Sequence, residues 1–408
     1  MQIVDLHIHS HYSRATSKDM NIDVLAKNAK IKGIDILGTG DFTHPMWLKE
    51  LKQKLIFDNG IYYYDNTKFI LSGEVSLIYT KDKKIRKIHY IILAPNFDVV
   101  EQINEYLGKK GRLDYDGRPN FGLDSIEFIE NMMSISKDIE IIPAHVWTPW
   151  FSIFGSMSGF DSVEECFEDK TKYIHALETG MSSNPAMNWR LSKLDKFVLV
   201  SNSDSHSPYP WRLGREANVF NLKNIDYISI INAIRTRKNF LFTIEVEPSY
   251  GKYHFDGHRN CNFSCSPNDA KKLNNICPRC GQKLTIGVLH RVEELADREE
   301  GFVPENAVPF KSLLPLSELI AISLGLQPFS KKVWNLYNIF IEKFNSEFNI
   351  LLNVEMNDLI KIDEKIADLI IKNREGKIKV IPGFDGVYGK PILEKVTGKQ
   401  LGLNKFLK

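Results

Sequence analysis

Over residues 1 to about 250, short runs of apolar residues alternate with longer stretches of helical period. QIVDLH, IDILGTG, FILSGEVSLIY, IHYIILAP, IEIIPAHV, YIHALETG, FVLVSNS and FLFTIEV have the length and β-branched content of strands. NIDVLAKNAKIKG, DVVEQINEYLG, LDSIEFIENMMSIS, NPAMNWRLSKL and NIDYISIINAIRTRK lie between several of them and repeat apolar positions at helical spacing. This alternation predicts a mostly parallel α/β sheet, open or closed into a barrel. Past residue 250 the pattern changes. Residues 256–300 hold four clustered cysteines, 312–372 read as mainly helical, and the end is basic and Gly-rich. The expected units are 1–255, a 256–300 cysteine module, a helical 301–390 and a tail from 391 to 408.

The polar residues able to bind metal fall at strand ends. Asp5, His7 and His9 end the first run, Asp41 follows the second, and Glu74 ends ILSGE. His145 ends IIPAH, Glu178 ends HALE, and Asp204 and His206 follow VLVSNS. His89, at the start of IHYIIL, breaks the rule. Repetition across strands marks a barrel with its site on the C-terminal face. Residues at i and i+2 of a strand share a face, so His7 and His9 can hold one ion, and Asp204 and His206 repeat the spacing. Glu74 can bridge two ions. Mixed imidazole and carboxylate ligands suit Zn, Mn or Fe. Paired ions roughly 3.5–4 Å apart are built for phosphoester hydrolysis.

DLHIHS, GTGD, GE, IHYIIL, PAH and SDSH, in this order, resemble the polymerase-and-histidinol-phosphatase (PHP) family. The resemblance implies a distorted (β/α)7 barrel holding up to three metal ions, with ligands at His7, His9, Glu74, His89, His145, Asp204 and His206. It departs at two places. Arg14, Ala15 and Thr16 stand where the family places a third histidine, and Gly40-Asp41-Phe42 stands for its TDH. Asp41, with His44 or His11 as substitutes, is therefore the nearest material for a third site. Asp204 is expected to orient the attacking water, Glu74 to bridge, and His206 to ligate or to act as the acid.

Composition adds less. The 408 residues are 43% apolar and 25% charged, the balance of a globular protein, and the net charge is +2. Residues 371–408, however, carry nine Lys/Arg against three Asp/Glu, which suits a polyanion. The start, MQIVDLH, lacks the pattern of a secretion signal, and LLPLSELIAISLGL is broken by Pro315 and Glu318, so a cytoplasmic protein is expected. Cys166 stands alone as a structural thiol. Cys261, Cys265, Cys277 and Cys280 form two close pairs, and CPRCG with Gly281 reads as a zinc knuckle. Four such ligands make a closed, structural Zn2+ site.

The added modules point to a large substrate. GTGDFTHP, IIPAHVWTPWFSIFGS, LETGMSSNPAMNWRLS, SNSDSHSPYPWRLGREAN and LNNICPRCGQKLTIGVLHRVEELADR are similar to the endonuclease Q family. The resemblance implies cleavage of DNA on the 5′ side of a deaminated base or abasic site, leaving a 3′-hydroxyl. Zn2+, with Mg2+ or Mn2+ for activity, would be the cofactor. Deaminated bases share a carbonyl beside a ring N–H, so one pocket with a matched donor and acceptor would accept them and reject A and C. In duplex DNA that reading requires a flipped nucleotide. Trp147, Trp150, Phe151 and Phe154 follow His145 and could stack on it. Trp189, Arg190, Trp211, Arg212, Glu178 and Asn202 are further DNA-contact candidates. Gln400, Leu403, Phe406 and Leu407 resemble a sliding-clamp binding box. The competing readings are a phosphatase for a small phosphomonoester and a non-catalytic DNA-damage binder.

Overall fold

The computed structural model describes residues 1–392. The twelve strands of the first 245 residues are β1 Gln2–Asp5, β2 Ile36–Gly38, β3 Ile56–Asp58, β4 Ile61–Tyr64, β5 Thr67–Lys81, β6 Lys84–Ala94, β7 Asn120–Phe121, β8 Glu140–Pro143, β9 Ala176–Glu178, β10 Val198–Val200, β11 Ala217–Phe220 and β12 Phe240–Glu245. All eight strand segments expected from the pattern are present. β1, β2, β8, β9 and β10 are buried along their whole length, as strands enclosed by helices must be.

Seven strands ring the barrel. β1 pairs in parallel with β2, and β2 with β5. β6 runs antiparallel to both β5 and β8. β8 meets β9 through Val146 N–H to the Glu178 carbonyl at 3.0 Å, and β9 pairs in parallel with β10. The ring closes where Ile8 bridges Ser205. The reversed β6 is the distortion in the barrel, and it resolves the exception at His89. The start of an antiparallel strand lies at the end of its parallel neighbours, so His89 pairs with Ser76, two residues past Glu74.

The helices carry the signals that start and stop them. Asn21 caps helix Ile22–Lys32 by accepting from Val24 N–H, and Gly33 ends it at φ +91°. The expected helix in NPAMNWRLSKL is shorter, a turn at Pro185–Asn188 and a 3-10 turn at Ser192–Leu194. The β3–β4 hairpin was not expected, yet Asn59-Gly60, at φ +51° and +80°, is the dipeptide a tight hairpin requires.

β13 Asp256–His258 and β14 Phe263–Cys265 form the small antiparallel pair of the cysteine module. β15 Phe310–Ser312 then adds in parallel to β12, so the chain returns to the barrel sheet before its helices begin. Helices Leu316–Leu324, Lys331–Phe344, Glu347–Leu352, Met356–Leu359 and Glu364–Arg374 pack around Leu319, Val333, Tyr337, Phe340 and Ile370. Lys32 ties them to the barrel. Its buried Nζ donates to Glu347 Oε1 at 2.7 Å and to the Pro210 carbonyl at 2.9 Å. The hairpin β16 Lys379–Ile381 and β17 Lys390–Ile392 folds back over residues 249–255, with Gly389 N–H on the Tyr250 carbonyl at 3.0 Å. Among the described residues no helix is long and apolar enough to cross a membrane.

Candidate metal centre

Two clusters of ligand atoms meet at Glu74 on the C-terminal face of the barrel. The first is His7, His9, Glu74 and Asp204, and the second is Glu74, His89 and His145. Glu74 uses a different oxygen in each. Its Oε2 lies 3.5 Å from His7 Nε2 and 3.2 Å from His9 Nε2, while its Oε1 lies 2.7 Å from His89 Nδ1 and 3.5 Å from His145 Nε2. Asp204 Oδ1 completes the first cluster, 3.1 Å from His9 Nε2. His7 Nε2 and Glu74 Oε1 are buried without a hydrogen-bond partner, which is costly unless a cation occupies the space between such atoms. The donor set and these orphaned atoms fit a pair of transition-metal ions sharing Glu74.

A second layer orients the imidazoles. Glu178 receives His7 Nδ1–H at 3.1 Å, His145 backbone N–H at 2.8 Å and Asn202 Nδ2 at 2.9 Å. Asp41 receives His9 Nδ1–H at 3.0 Å and both the N–H and the hydroxyl of Ser10. Asp41, His145 and Asp204 all sit at positive φ, +47°, +31° and +46°. Non-glycine residues hold such angles at a cost, and they cluster at functional sites.

The electrostatics suit cation binding. Burial opposes charge on Glu74 and Asp204, but the surrounding imidazoles, with Arg118 for Glu74, hold both carboxyls well below their ordinary range. Burial lowers His89 to about 4 against the pull of Glu74, leaving a neutral ligand. Burial and His9 lower His206 to about 4 as well. His206 stands just outside the first cluster, its ring 4.4 Å from that of His9. A neutral imidazole there is better suited to ligation than to proton donation.

His44 and His11 do not join either cluster. His44 stacks on Tyr12 and its Nε2 lies 3.3 Å from the Asp114 carbonyl, and His11 bonds the Met20 carbonyl at 3.0 Å. The Asp41 carboxylate instead accepts from His9 and Ser10.

A third group of ligand atoms lies in the cysteine module: His258, Cys261, Cys277 and Cys280, all within 4.8 Å of one another. Cys265 lies beside them with Ala270, Cys277 and Leu284. Its place in β14 is opposite Asp256, whereas His258 ends β13 next to the turn that carries Cys261. His258 was not expected as a ligand. The signal was present, since His258-x2-Cys261 repeats the spacing of Cys277-x2-Cys280. Burial opposes the Cys277 thiolate, but the Arg279 N–H and His258 bring its pKa down to about 7, ready for a metal.

The catalytic-face clusters open into a cavity of about 400 Å³. Its walls combine His89, His145 and Asp204 with Trp150, Phe151, Tyr253 and Tyr388. Phe151 packs on His89 at 4.6 Å between ring centres, and Trp150 meets Tyr253 edge-on at 6.0 Å.

The crystal structure of the lesion-specific endonuclease PfuEndoQ from Pyrococcus furiosus superposes on 99% of this chain and 98% of its own, with a TM-score of 0.87 and 34% identity. The chain belongs to the endonuclease Q family. As a member it is an endonuclease. An endonuclease Q complex with a 27-mer duplex substrate bearing an abasic lesion at the active site matches 100% of both chains, at TM-score 0.88 and 33% identity. Protein MJ0043 of Methanocaldococcus jannaschii is 37% identical over 252 residues, 60% of this chain, and the match spans 31% of that protein. YqxK of Bacillus subtilis is 26% identical over 409 residues, covering 95% of this chain and 98% of its own. The MJ0043 C-terminal domain model matches residues 315–377, the helical region.

On this endonuclease Q framework the DNA-contact candidates separate. Trp147 and Phe154 are buried against each other, and the Trp147 Nε1–H donates to Asn188 at 2.8 Å, so both are core. Glu178 and Asn202 line the cavity and are hydrogen-bonded to each other. Asn202 Oδ1 accepts from Leu6 N–H at 2.9 Å, and its amide donates to Glu178 at 2.9 Å. Trp189 packs on Phe310, and the Arg190 carbonyl accepts the Asp297 and Arg298 N–H groups. Trp211 stacks on Tyr209 with rings 7° from parallel and packs on Trp334. Arg212 lies over the Tyr388 ring at 4.7 Å. Trp150 and Phe151 alone of the aromatic loop face the cavity. Gln400, Leu403, Phe406 and Leu407 lie outside the described residues.

Proposed function

We propose that this protein is a metal-dependent DNA-repair endonuclease. It would hydrolyse the phosphodiester 5′ of a deaminated base or an abasic site and leave a 3′-hydroxyl. One observation carries the reading: the two clusters joined by Glu74 open directly into an aromatic-walled cavity roomy enough for a nucleobase. Trp150, Phe151 and Tyr253 offer the stacking faces a flipped base needs. Arg212, Arg215 and Lys252 surround Tyr388 at the rim. Burial opposes ionisation of Tyr388, but these three cations bring its pKa down to about 8, a measure of the positive field a phosphate would meet.

When bound, the paired ions would supply Lewis acidity and an activated water. The chain's own part is positioning. His7, His9, His89, His145, Glu74 and Asp204 would hold them, fixed by Glu178 and Asp41 behind. The Asp204 side chain, at 34% exposure the most open of the first cluster, reaches the cavity and would accept the proton of the attacking water.

Matched duplexes carrying A, C, uracil, hypoxanthine or an abasic site, incubated with Mg2+ or Mn2+, test this directly. Strand cuts 5′ of uracil, hypoxanthine and the abasic site are expected, and A and C strands should stay intact. Asp204→Ala should lose cleavage by about 10²-fold or more while still binding lesion DNA. Hydrolysis of sugar phosphates without any cut in lesion DNA would reject the reading in favour of a phosphatase.

A further inference from the structure

One cation enters the metal centre from outside the expected ligand set. Arg118 Nη1 donates to Glu74 Oε2 at 3.1 Å, and its side chain is 27% exposed. The loop that carries it is fastened on both sides. Arg118 N–H and Arg14 N–H both donate to Asp116 Oδ1, at 3.1 and 3.3 Å. Gly117 N–H donates to the Tyr12 carbonyl at 3.1 Å, and the Thr43 hydroxyl donates to the Gly117 carbonyl at 3.1 Å. Ser76 N–H takes the Pro119 carbonyl at 3.0 Å, two residues beyond Glu74 in β5. A Cβ at residue 117 would stand 2.2 Å from Asp41 Oδ2, so the loop lies directly on the second layer of the site. The anchors come from residues 12–14 and 43, in the segments that follow β1 and β2, and from Ser76 in β5.

Such fixing exceeds what a counter-ion needs. Glu74 already faces four imidazoles, and two divalent ions would more than neutralise it. A guanidinium has five donors in a planar fork, and a single hydrogen bond to Glu74 accounts for one. With the side chain 27% exposed beside Glu74, the others are within reach of a phosphodiester held at the metal centre, whose non-bridging oxygens would gain negative charge under attack. We infer that Arg118 is a catalytic residue that donates to a non-bridging oxygen of the scissile phosphate. The inference rests on the endonuclease reading above.

The test compares wild type, Arg118→Ala and Arg118→Lys on the same abasic-site duplex, with and without a methylphosphonate at the scissile linkage. The neutral linkage removes one charged oxygen. Binding is measured in Ca2+, cleavage in single turnover, and metal content and Tm are recorded for each protein. Arg118→Ala should slow cleavage by about 10²–10³-fold with metal content and Tm unchanged. The methylphosphonate should weaken wild-type binding about tenfold more than it weakens Arg118→Ala binding. Arg118→Lys should recover only part of the loss, because a point charge lacks the fork. Cleavage by Arg118→Ala within threefold of wild type, or a methylphosphonate penalty as large in that variant as in wild type, would overturn the assignment. A wild-type protein that neither binds nor cuts the abasic duplex would instead sink the endonuclease reading itself.

Discussion

His11 follows His9 by the same two-residue step that separates His9 from His7, yet its ring goes elsewhere. β1 ends at Asp5, and the chain stays extended only to the bridge at Ile8, so alternation no longer governs residue 11. A pattern in sequence carries side chains to one face only while the backbone keeps its period. The cysteine module gives the converse case. Spacing brought out the four cysteines, but not which atoms converge, and His258 joins Cys261, Cys277 and Cys280 there. His258→Ala should therefore lower tightly bound zinc well below one equivalent per chain. Cys265→Ser should lower it as well, since Cys265 lies against Cys277 in the same module. Metal analysis of the purified, EDTA-treated variants checks both.

At the scale of elements, the reversal of β6 matters most. Because it runs antiparallel between β5 and β8, His89 reaches the same end of the barrel as Glu74 and His145. The turn after β9 then shapes the second cluster. Gly180 holds φ +70°, and a Cβ there would stand 2.7 Å from the Cβ of His145. His145 is itself held at φ +31° by this neighbour and by Glu178, which receives its N–H. Gly180→Ala should destabilise the fold by about 1–3 kcal/mol through backbone strain. It should also displace His145 and cut activity more than stability alone explains. Denaturant titration beside single-turnover rates separates the two.

Over the whole molecule, the later modules are seated on the barrel. β15 extends its sheet, the β16–β17 hairpin places Tyr388 at the mouth, and Glu347 pins the helices. Glu347 is fully buried and accepts from Lys32, Leu316 N–H at 3.1 Å and Tyr337 O–H at 2.7 Å. Lys32 also donates to Pro210, four residues past His206, so one buried pair couples the helical region to the rim of the site. Lys32→Met leaves a buried carboxylate short of its cation and should cost about 3–5 kcal/mol. A lower denaturation midpoint is the expected result, and a loss below about 1 kcal/mol would show that the pair carries little of the docking.

The sequence by itself determined eight of the strands, the barrel class and most of the residues that cluster around Glu74. Strand-end residues such as His7, His9, Glu74 and Asp204 recur in a local pattern, and local patterns are written in the order of residues. It also held the Asn59-Gly60 hairpin and the His258-x2-Cys261 spacing in plain view. Tertiary structure alone decided the rest. Which imidazoles share a carboxylate, why Glu178 and Asn202 are spent on orienting ligands, and how Arg118 enters the centre all depend on residues far apart in the chain. Arg118 and Glu74 are 44 positions apart, and no periodicity links them. Their meeting follows from a loop held down by hydrogen bonds from other strand ends, and such contacts arise only once the barrel has closed.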